Sequence, residues 1–455
     1  MHREERNKLT PFTFGDKRFD IAVVGAGILG VSISFWLSEL YDCSVALIES
    51  EQNVGSQASS RNTGVIHRPF YLDPEKKKVF AQAAEKSYSL WSRLASSYNL
   101  GWRPSGTIEV AVRDSDLDTL QKYKKWSLSN GMKEEETELL DPSGVRRLEP
   151  EVRCAGGIFS KSDTSVVFGE LVSAVAELAR NNGVKFLGGS EVKQLEEAKE
   201  GVRVTLGQGS EKDTVSCGLL INAAGGGALD VAHMMGLAKE YTDLHFRGEY
   251  WVVDEPFGSK VGRNVYSVAR HKEFPFLDPH FIVRANGKKE IGPNAVLVSG
   301  PKAYSGLSSS KSEFVRKIFE RPVTPKLRLF LNRKFLSLVS DEWKSSLSKK
   351  AMCGRVRQFI PSLDVSMLNQ RGVSGVRSSL IDNKGFVPEA VQLSSDRSLH
   401  ILNYNSPGAT GAPCFSAFIV SNLKTRGFLD GLKHKASGKH AELWNFENAS
   451  DLRIS

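Results

Sequence analysis

Cysteine is sparse in this 455-residue chain. Cys43, Cys154, Cys217, Cys353 and Cys414 form no C-x-x-C pair and no Cys/His group with zinc spacing. A disulfide framework and a structural zinc site are therefore excluded. The five thiols read as small buried apolar residues in a reducing compartment. Long hydrophobic runs are missing as well. The longest uncharged stretch near the start, residues 21–37, has 17 residues, three of them Gly and two Ser. That falls short of the roughly 20 apolar residues a membrane span needs. Seventeen prolines occur without repeats, and no block of five Lys/Arg exists. Collagen-like, low-complexity and polybasic classes drop out with them. The net charge of +9 is partly terminal: residues 1–18 and 424–455 carry +2 each, which leaves +5 on the 405 residues between. Nothing there calls for specific nucleic-acid binding. The reading is a cytoplasmic protein, with peripheral contact at the inner face of a membrane left open.

What the chain does have is glycine, 40 residues of it, and a length that suits two or three domains. Phe19-Asp-Ile-Ala-Val-Val24 is a β-branched apolar run of the kind found in buried parallel strands. Gly25-Ala-Gly27-Ile-Leu-Gly30 follows at once, then a helical pattern over 31–40. A second strand, 44–49, ends in Glu49. This is a βαβ dinucleotide unit in which each residue has a physical task. Gly25 permits the tight turn, Gly27 lets backbone approach a pyrophosphate, and Gly30 lets helix pack on strand. The helix start offers N–H groups to phosphate, and Glu49 suits a ribose diol. The polar stretch from Glu51 through Arg61 into Asn62-Thr63-Gly64-Val-Ile-His67 suits an extended FAD better than NAD, because it turns back towards the cofactor.

Further along, helices are expected over 73–99, 114–130, 166–181 and 415–423, and a charged helical stretch over 311–350. A hairpin is expected at 202–217, followed by a separate buried strand into Gly225-Gly226-Gly227. Residues 245–300 alternate as antiparallel sheet does. Gly408-Ala-Thr410-Gly411 precedes an apolar helix, whose positive end suits an electron-rich ring. The fold class is thus α/β in two interleaved parts. A Rossmann-like FAD-binding domain takes 19–105, 166–235 and 371–430. An antiparallel-sheet substrate domain takes 106–165 and 236–370, and 1–18 and 431–455 are tails, the last 20 residues mobile.

These residues carry a resemblance. The sequence resembles the D-amino-acid-oxidase-like FAD-dependent oxidoreductases, and within them the L-2-hydroxyglutarate dehydrogenase/oxidase group. The matching stretches are Val24–Gly30, Asn62–His67, Phe246-Arg-Gly-Glu-Tyr250, Phe274-Pro-Phe-Leu277 with His280-Phe281, Gly292-Pro-Asn-Ala295 and Gly375-Val-Arg377. They span about 19 to 425 in the family's order. Thr63 stands where the family usually has Ser, and Arg68-Pro-Phe-Tyr-Leu72 replaces a Ser-Gly-Ile-Tyr-Tyr-like run.

The resemblance implies oxidation of a small 2-hydroxy acid, L-2-hydroxyglutarate to 2-oxoglutarate, with FAD as cofactor and no metal. Partners would be a small anionic substrate and an electron acceptor: oxygen, a quinone or a carrier flavoprotein. Such a site needs a cation for the carboxylate, a base for the hydroxyl proton and a rigidly held flavin. Arg377 is the expected carboxylate clamp, with Arg247 and Tyr250 as a second binding point. His280 is the expected base and His67 its rival, which could instead contact or carry the flavin. Asn294 would orient substrate or His280. Gly25, Gly27, Gly30, Glu49, Arg61, Asn62, Thr63, Gly64, Gly225, Gly408, Thr410 and Gly411 are the expected FAD contacts. Oxidation of an amino acid, a secondary amine or glycerol 3-phosphate, a flavin-dependent RNA-modification module and a redox-silent FAD scaffold remain as alternatives.

Overall fold

The run after Phe19 forms the strand Arg18–Val24 at the centre of an eight-stranded sheet. The computed structural model describes residues 17–452 apart from 209–210, 272–273, 275, 277, 307–310 and 437. Residues 1–16 of the expected amino-terminal tail, and Pro275 and Leu277 of the Phe-Pro-Phe-Leu motif, lie outside the described residues. In the central sheet, Lys185–Leu187, Val45–Ile48, Arg18–Val24, the end of Glu211–Asn222, and Ser398–Leu402 run parallel in that order. Residues 202–217 and 218–222, expected as a hairpin and a separate strand, are continuous on one side. The strand Glu211–Asn222 pairs antiparallel with Gly201–Gln208 in its first half and enters the parallel layer in its second. A strand that changes partners halfway has no local signal at the change.

Helix Ile28–Leu40 is buried along almost its whole length. Such a helix must be covered on several sides, and it packs between Phe168–Asn181 and Gly408–Thr425. Lys78–Ser97 covers the outer side of Gly408–Thr425. A second eight-stranded sheet and a four-stranded sheet stand above this layer. The four-stranded sheet pairs Thr242–Gly248 with Val296–Val298 on one side and with Gly375–Asp382 on the other. Gly375–Asp382, expected with the nucleotide-binding part, is thus hydrogen-bonded to strands of the expected substrate part. Helices Lys311–Phe319, Val323–Phe330 and Arg333–Leu347 follow in the charged stretch.

The carboxy-terminal segment is docked, not loose. Trp444 is buried against Phe35, Trp36 and Trp91, with ring centroids 5.3, 5.8 and 5.7 Å apart. Its indole N–H donates to the Leu90 carbonyl at 2.9 Å. One large aromatic ring supplies much apolar burial, so this segment is anchored without any repeating pattern.

Three buried histidines give a testable pH dependence. Burial pushes His245 and His400 down to about 4, and His280 down to about 3. Each folded value lies below the unfolded value of about 6.5, so the unfolded chain binds the extra protons between the two. Stability contributed by the neutral rings is present above about pH 6.5 and is lost as pH falls towards 4. The denaturation midpoint is expected to fall over that window, and His400→Gln to shallow the slope. A midpoint independent of pH there would contradict the burial account.

Candidate active site

The Gly-rich turn shows why each glycine is needed. Gly25 has φ +99°, and a Cβ there would lie 2.6 Å from the Ala223 carbonyl oxygen. A Cβ on Gly30 would lie 1.9 Å from the Gly25 carbonyl oxygen, so helix and strand pack only with glycine. At Gly27 a Cβ would come within 4 Å of Ser59 Oγ alone, at 3.1 Å, so the backbone is open to a ligand. Glu49 holds the turn: its carboxylate accepts from Ala26 N at 2.8 Å and from Glu51 N at 3.0 Å.

From this turn a deep cavity runs between the parallel sheet and the sheets above it. Gly27, Ile28 and Leu29 line one end, followed by Ala58, Ser59, Arg61, Asn62 and Thr63. Asn62 fixes its own loop, donating to the Ser59 carbonyl and accepting from Gly64 N, each at 2.9 Å. Gly225 lines the cavity as well. At the far end stand Gly408, Ala409 and Thr410, which begin the helix Gly408–Thr425. That helix starts seven residues earlier than the sequence suggests, because Pro413 reads as a stop. Neighbours compensate for the disturbed ladder. Trp91 Nε1 donates to the Thr410 carbonyl at 2.8 Å, and Cys414 N finds Ser87 Oγ at 3.2 Å. Of the expected cofactor contacts, the cavity brings together Gly27, Arg61, Asn62, Thr63, Gly225, Gly408 and Thr410. Gly25, Gly30, Glu49, Gly64 and Gly411 are not among its lining residues. Gly64 is a turn residue with φ +71°, and a Cβ on Gly411 would meet Ala83 of the packed helix at 3.0 Å.

Two helix N-termini therefore face one elongated cavity. The first suits the pyrophosphate of a dinucleotide, and the second suits an electron-rich ring. The residues present fit a flavin dinucleotide on this ground.

The remaining wall carries the polar chemistry. His67 Nδ1 lies 2.8 Å from Asp163 Oδ2, and its Nε2 lies 3.2 Å from the Tyr266 hydroxyl. Asp163 is fully buried, and its other oxygen accepts from Arg68 N and Ser160 Oγ. A carboxylate is an acceptor only, so His67 carries its proton on Nδ1 and presents the Nε2 lone pair. Tyr266 also stacks on His280, centroids 3.7 Å apart at 17°. His280 Nδ1 donates to the Asp278 carbonyl at 3.0 Å, while its buried Nε2 has no hydrogen-bond partner among the described residues. His67, Tyr266 and His280 all line the cavity.

Arg377 lines the same cavity. Burial lowers its pKa to about 10, with Tyr71 opposing, so the guanidinium stays charged near neutral pH. The strand register explains which arginine reaches the site. Phe246 is paired with Arg377, and Arg247 with Val376. Side chains alternate across a strand, so Phe246 and Arg377 share the cavity face and Arg247 points away. Arg247 is not a cavity residue: it forms a buried ion pair with Glu249 at 2.9 Å and donates to the Ala303 carbonyl at 3.2 Å. Asn294 lines the cavity, yet its amide holds Glu249, accepting from its N–H at 2.8 Å and donating to its carboxylate at 3.1 Å. Tyr250 also lines the cavity, and burial pushes its phenol up to about 12.

Tyr71, Glu109, Tyr123 and Tyr266 line this cavity and Asp163 supports it through His67, and none of them was given a role from sequence. Asp163 sits in a Ser-rich turn 96 residues from His67, and nothing local marks their meeting.

The family model for FAD dependent oxidoreductases (DAO) matches residues 20–421. L-2-hydroxyglutarate dehydrogenase of Escherichia coli K12 is 27% identical over 410 residues, covering 90% of this chain and 93% of that protein. The mitochondrial L-2-hydroxyglutarate dehydrogenase of Caenorhabditis elegans is 26% identical over 419 residues, covering 90% and 94%. Among solved structures, dithionite-reduced L-alpha-glycerophosphate oxidase from Mycoplasma pneumoniae with FAD bound superposes with a TM-score of 0.68 at 19% identity. It covers 93% of this chain and 97% of that one. The two helix starts on one cavity and the match over nearly the whole chain lead to one conclusion: this protein belongs to the DAO family of FAD-dependent oxidoreductases.

Proposed function

We propose that the chain oxidises a small 2-hydroxy acid at C2, with L-2-hydroxyglutarate giving 2-oxoglutarate. The observation that carries this is that Arg377 and His67, the latter held by Asp163, line one cavity with Gly27 of the Gly-rich turn. When bound, FAD supplies the acceptor for the two electrons and the C2 hydrogen. Gly27, the loop 58–63, Gly225 and Gly408–Thr410 hold it. Arg377 binds the substrate carboxylate through paired N–H donors. His67 Nε2 takes the hydroxyl proton, and the resulting imidazolium is stabilised by Asp163, already hydrogen-bonded to Nδ1. His280 stays neutral, because burial holds its pKa near 3, and its Nε2 accepts a hydrogen bond that orients the hydroxyl. The names of the curated relatives, at 25–28% identity, support the same substrate.

The test is turnover with an artificial dye acceptor on a panel: L- and D-2-hydroxyglutarate, lactate, glycerol 3-phosphate and sarcosine. L-2-Hydroxyglutarate should give 2-oxoglutarate and the highest kcat/KM. Preference for glycerol 3-phosphate or an amine would reject the hydroxy-acid reading and leave the flavoprotein assignment intact.

A further inference from the structure

Among the described residues, six of the ten exposed large hydrophobic residues fall within 33 positions: Val315, Phe319, Leu327, Leu331, Leu336 and Leu347. They occupy three successive helices, Lys311–Phe319, Val323–Phe330 with its cap Leu331, and Arg333–Leu347. Within each helix the spacing puts them on one side. Val315 and Phe319, like Leu327 and Leu331, are four apart, and Leu336 and Leu347 are eleven apart, three helical turns. The first helix packs on the second and the second on the third. Leu331 is 82% exposed and Leu347 is 80% exposed. Large apolar side chains so exposed, and so concentrated, mark an interaction surface.

The charge of the same segment selects the occupant. Residues 315–336 hold seven basic groups and one acidic group, so +6 of the chain's +9 lies in 22 residues. Lys317 and Lys326 are turned inward to Glu320, at 2.8 and 3.3 Å. Arg316, Arg321, Arg328, Arg333 and Lys334 are exposed. Apolar tips among exposed cations suit the interface of an anionic bilayer, where the tips enter the acyl boundary and the cations meet headgroups. No described helix is long and apolar enough to cross a membrane.

We propose that this three-helix layer is a peripheral docking surface for anionic lipid membranes. The layer also roofs the active site. Leu329, Phe335 and Leu338 pack from below with Phe246 and Phe276, which line the cavity. Docking by this face would bring the cavity roof to the bilayer. The inference stands on exposure and charge alone and does not depend on the substrate.

The experiment is sedimentation of the FAD-loaded protein with phosphatidylcholine vesicles, with and without about 30% phosphatidylglycerol, at low and high salt. Binding is expected to the anionic vesicles only and to weaken with salt. Phe319→Ser with Leu331→Ser should lower the partition coefficient at least about tenfold, and Arg321→Glu with Arg333→Glu should do the same. Leu128→Ser, an exposed apolar site on another helix, should change nothing, and FAD content should be equal in all variants. Absence of vesicle binding, or binding unaffected by both double variants, overturns the proposal. So does a dimer, or an RNA complex, that the Phe319/Leu331 variant dissolves, because another occupant then covers the face.

Discussion

His67→Asn is expected to slow flavin reduction by about 10²–10⁴-fold, the usual contribution of a positioned base, while FAD stays bound. The hydrogen-bond partners of the ring set its tautomer. Asp163 is buried and accepts from Arg68 N, Ser160 Oγ and His67 Nδ1. That fixes one tautomer and turns Nε2 to the cavity wall beside Tyr266. Asn keeps a polar group of similar reach without a basic nitrogen. Asp163→Asn tests the same unit from behind, since an amide can offer its N–H to Nδ1 and so favour the wrong tautomer. It should slow reduction as well, because the wrong tautomer turns an N–H to the cavity and an imidazolium formed in the step loses its stabilising charge. Replacement of His280 should cost less, since a ring held near pKa 3 by burial is a weak base. Rapid anaerobic mixing reads all three. A His67→Asn enzyme that is reduced at the wild-type rate, beside a His280 variant that is not, would transfer the base to His280.

Arg377→Met is expected to lower kcat/KM by about 30- to 5,000-fold, equivalent to about 2–5 kcal/mol for removing one partner of a desolvated charge pair. Most of the loss should appear in KM, because the carboxylate is bound in ground state and transition state alike. Met keeps length and apolar contact with Phe276, whose ring centroid lies 5.9 Å from the guanidinium. Arg377→Lys should restore only part of the loss, since a point charge cannot bind a carboxylate bidentately. Steady-state kinetics across substrate concentration measures this. An Arg377→Met enzyme with unchanged KM would place the carboxylate elsewhere.

The parts of this site that were legible in sequence are those dictated by local backbone. Gly25, Gly27 and Gly30 could be assigned tasks because a turn, an approach and a packing contact each exclude a side chain within a few residues. Arg377 and Arg247 look alike in sequence; only the pairing of Phe246 with Arg377 tells which side of the sheet each occupies. The Asp163–His67 contact joins two loop residues 96 positions apart, so no spacing announces it. Trp444 was invisible for another reason: a segment anchored by one ring shows no period. The basic surface at 315–336 escaped because its cations are interleaved at helical spacing with apolar residues, so no run of like charge forms.

In the proposed function, Arg377 and His67 orient the C2 hydroxyl of a 2-hydroxy acid for oxidation by bound FAD. Anaerobic mixing of the FAD-loaded protein with L-2-hydroxyglutarate tests it in a single turnover. The account predicts bleaching of the oxidised flavin absorbance, slower with deuterium at C2, with stoichiometric 2-oxoglutarate and no comparable rate with the D enantiomer. A flavin that stays oxidised in saturating L-2-hydroxyglutarate, yet bleaches with dithionite, would contradict it.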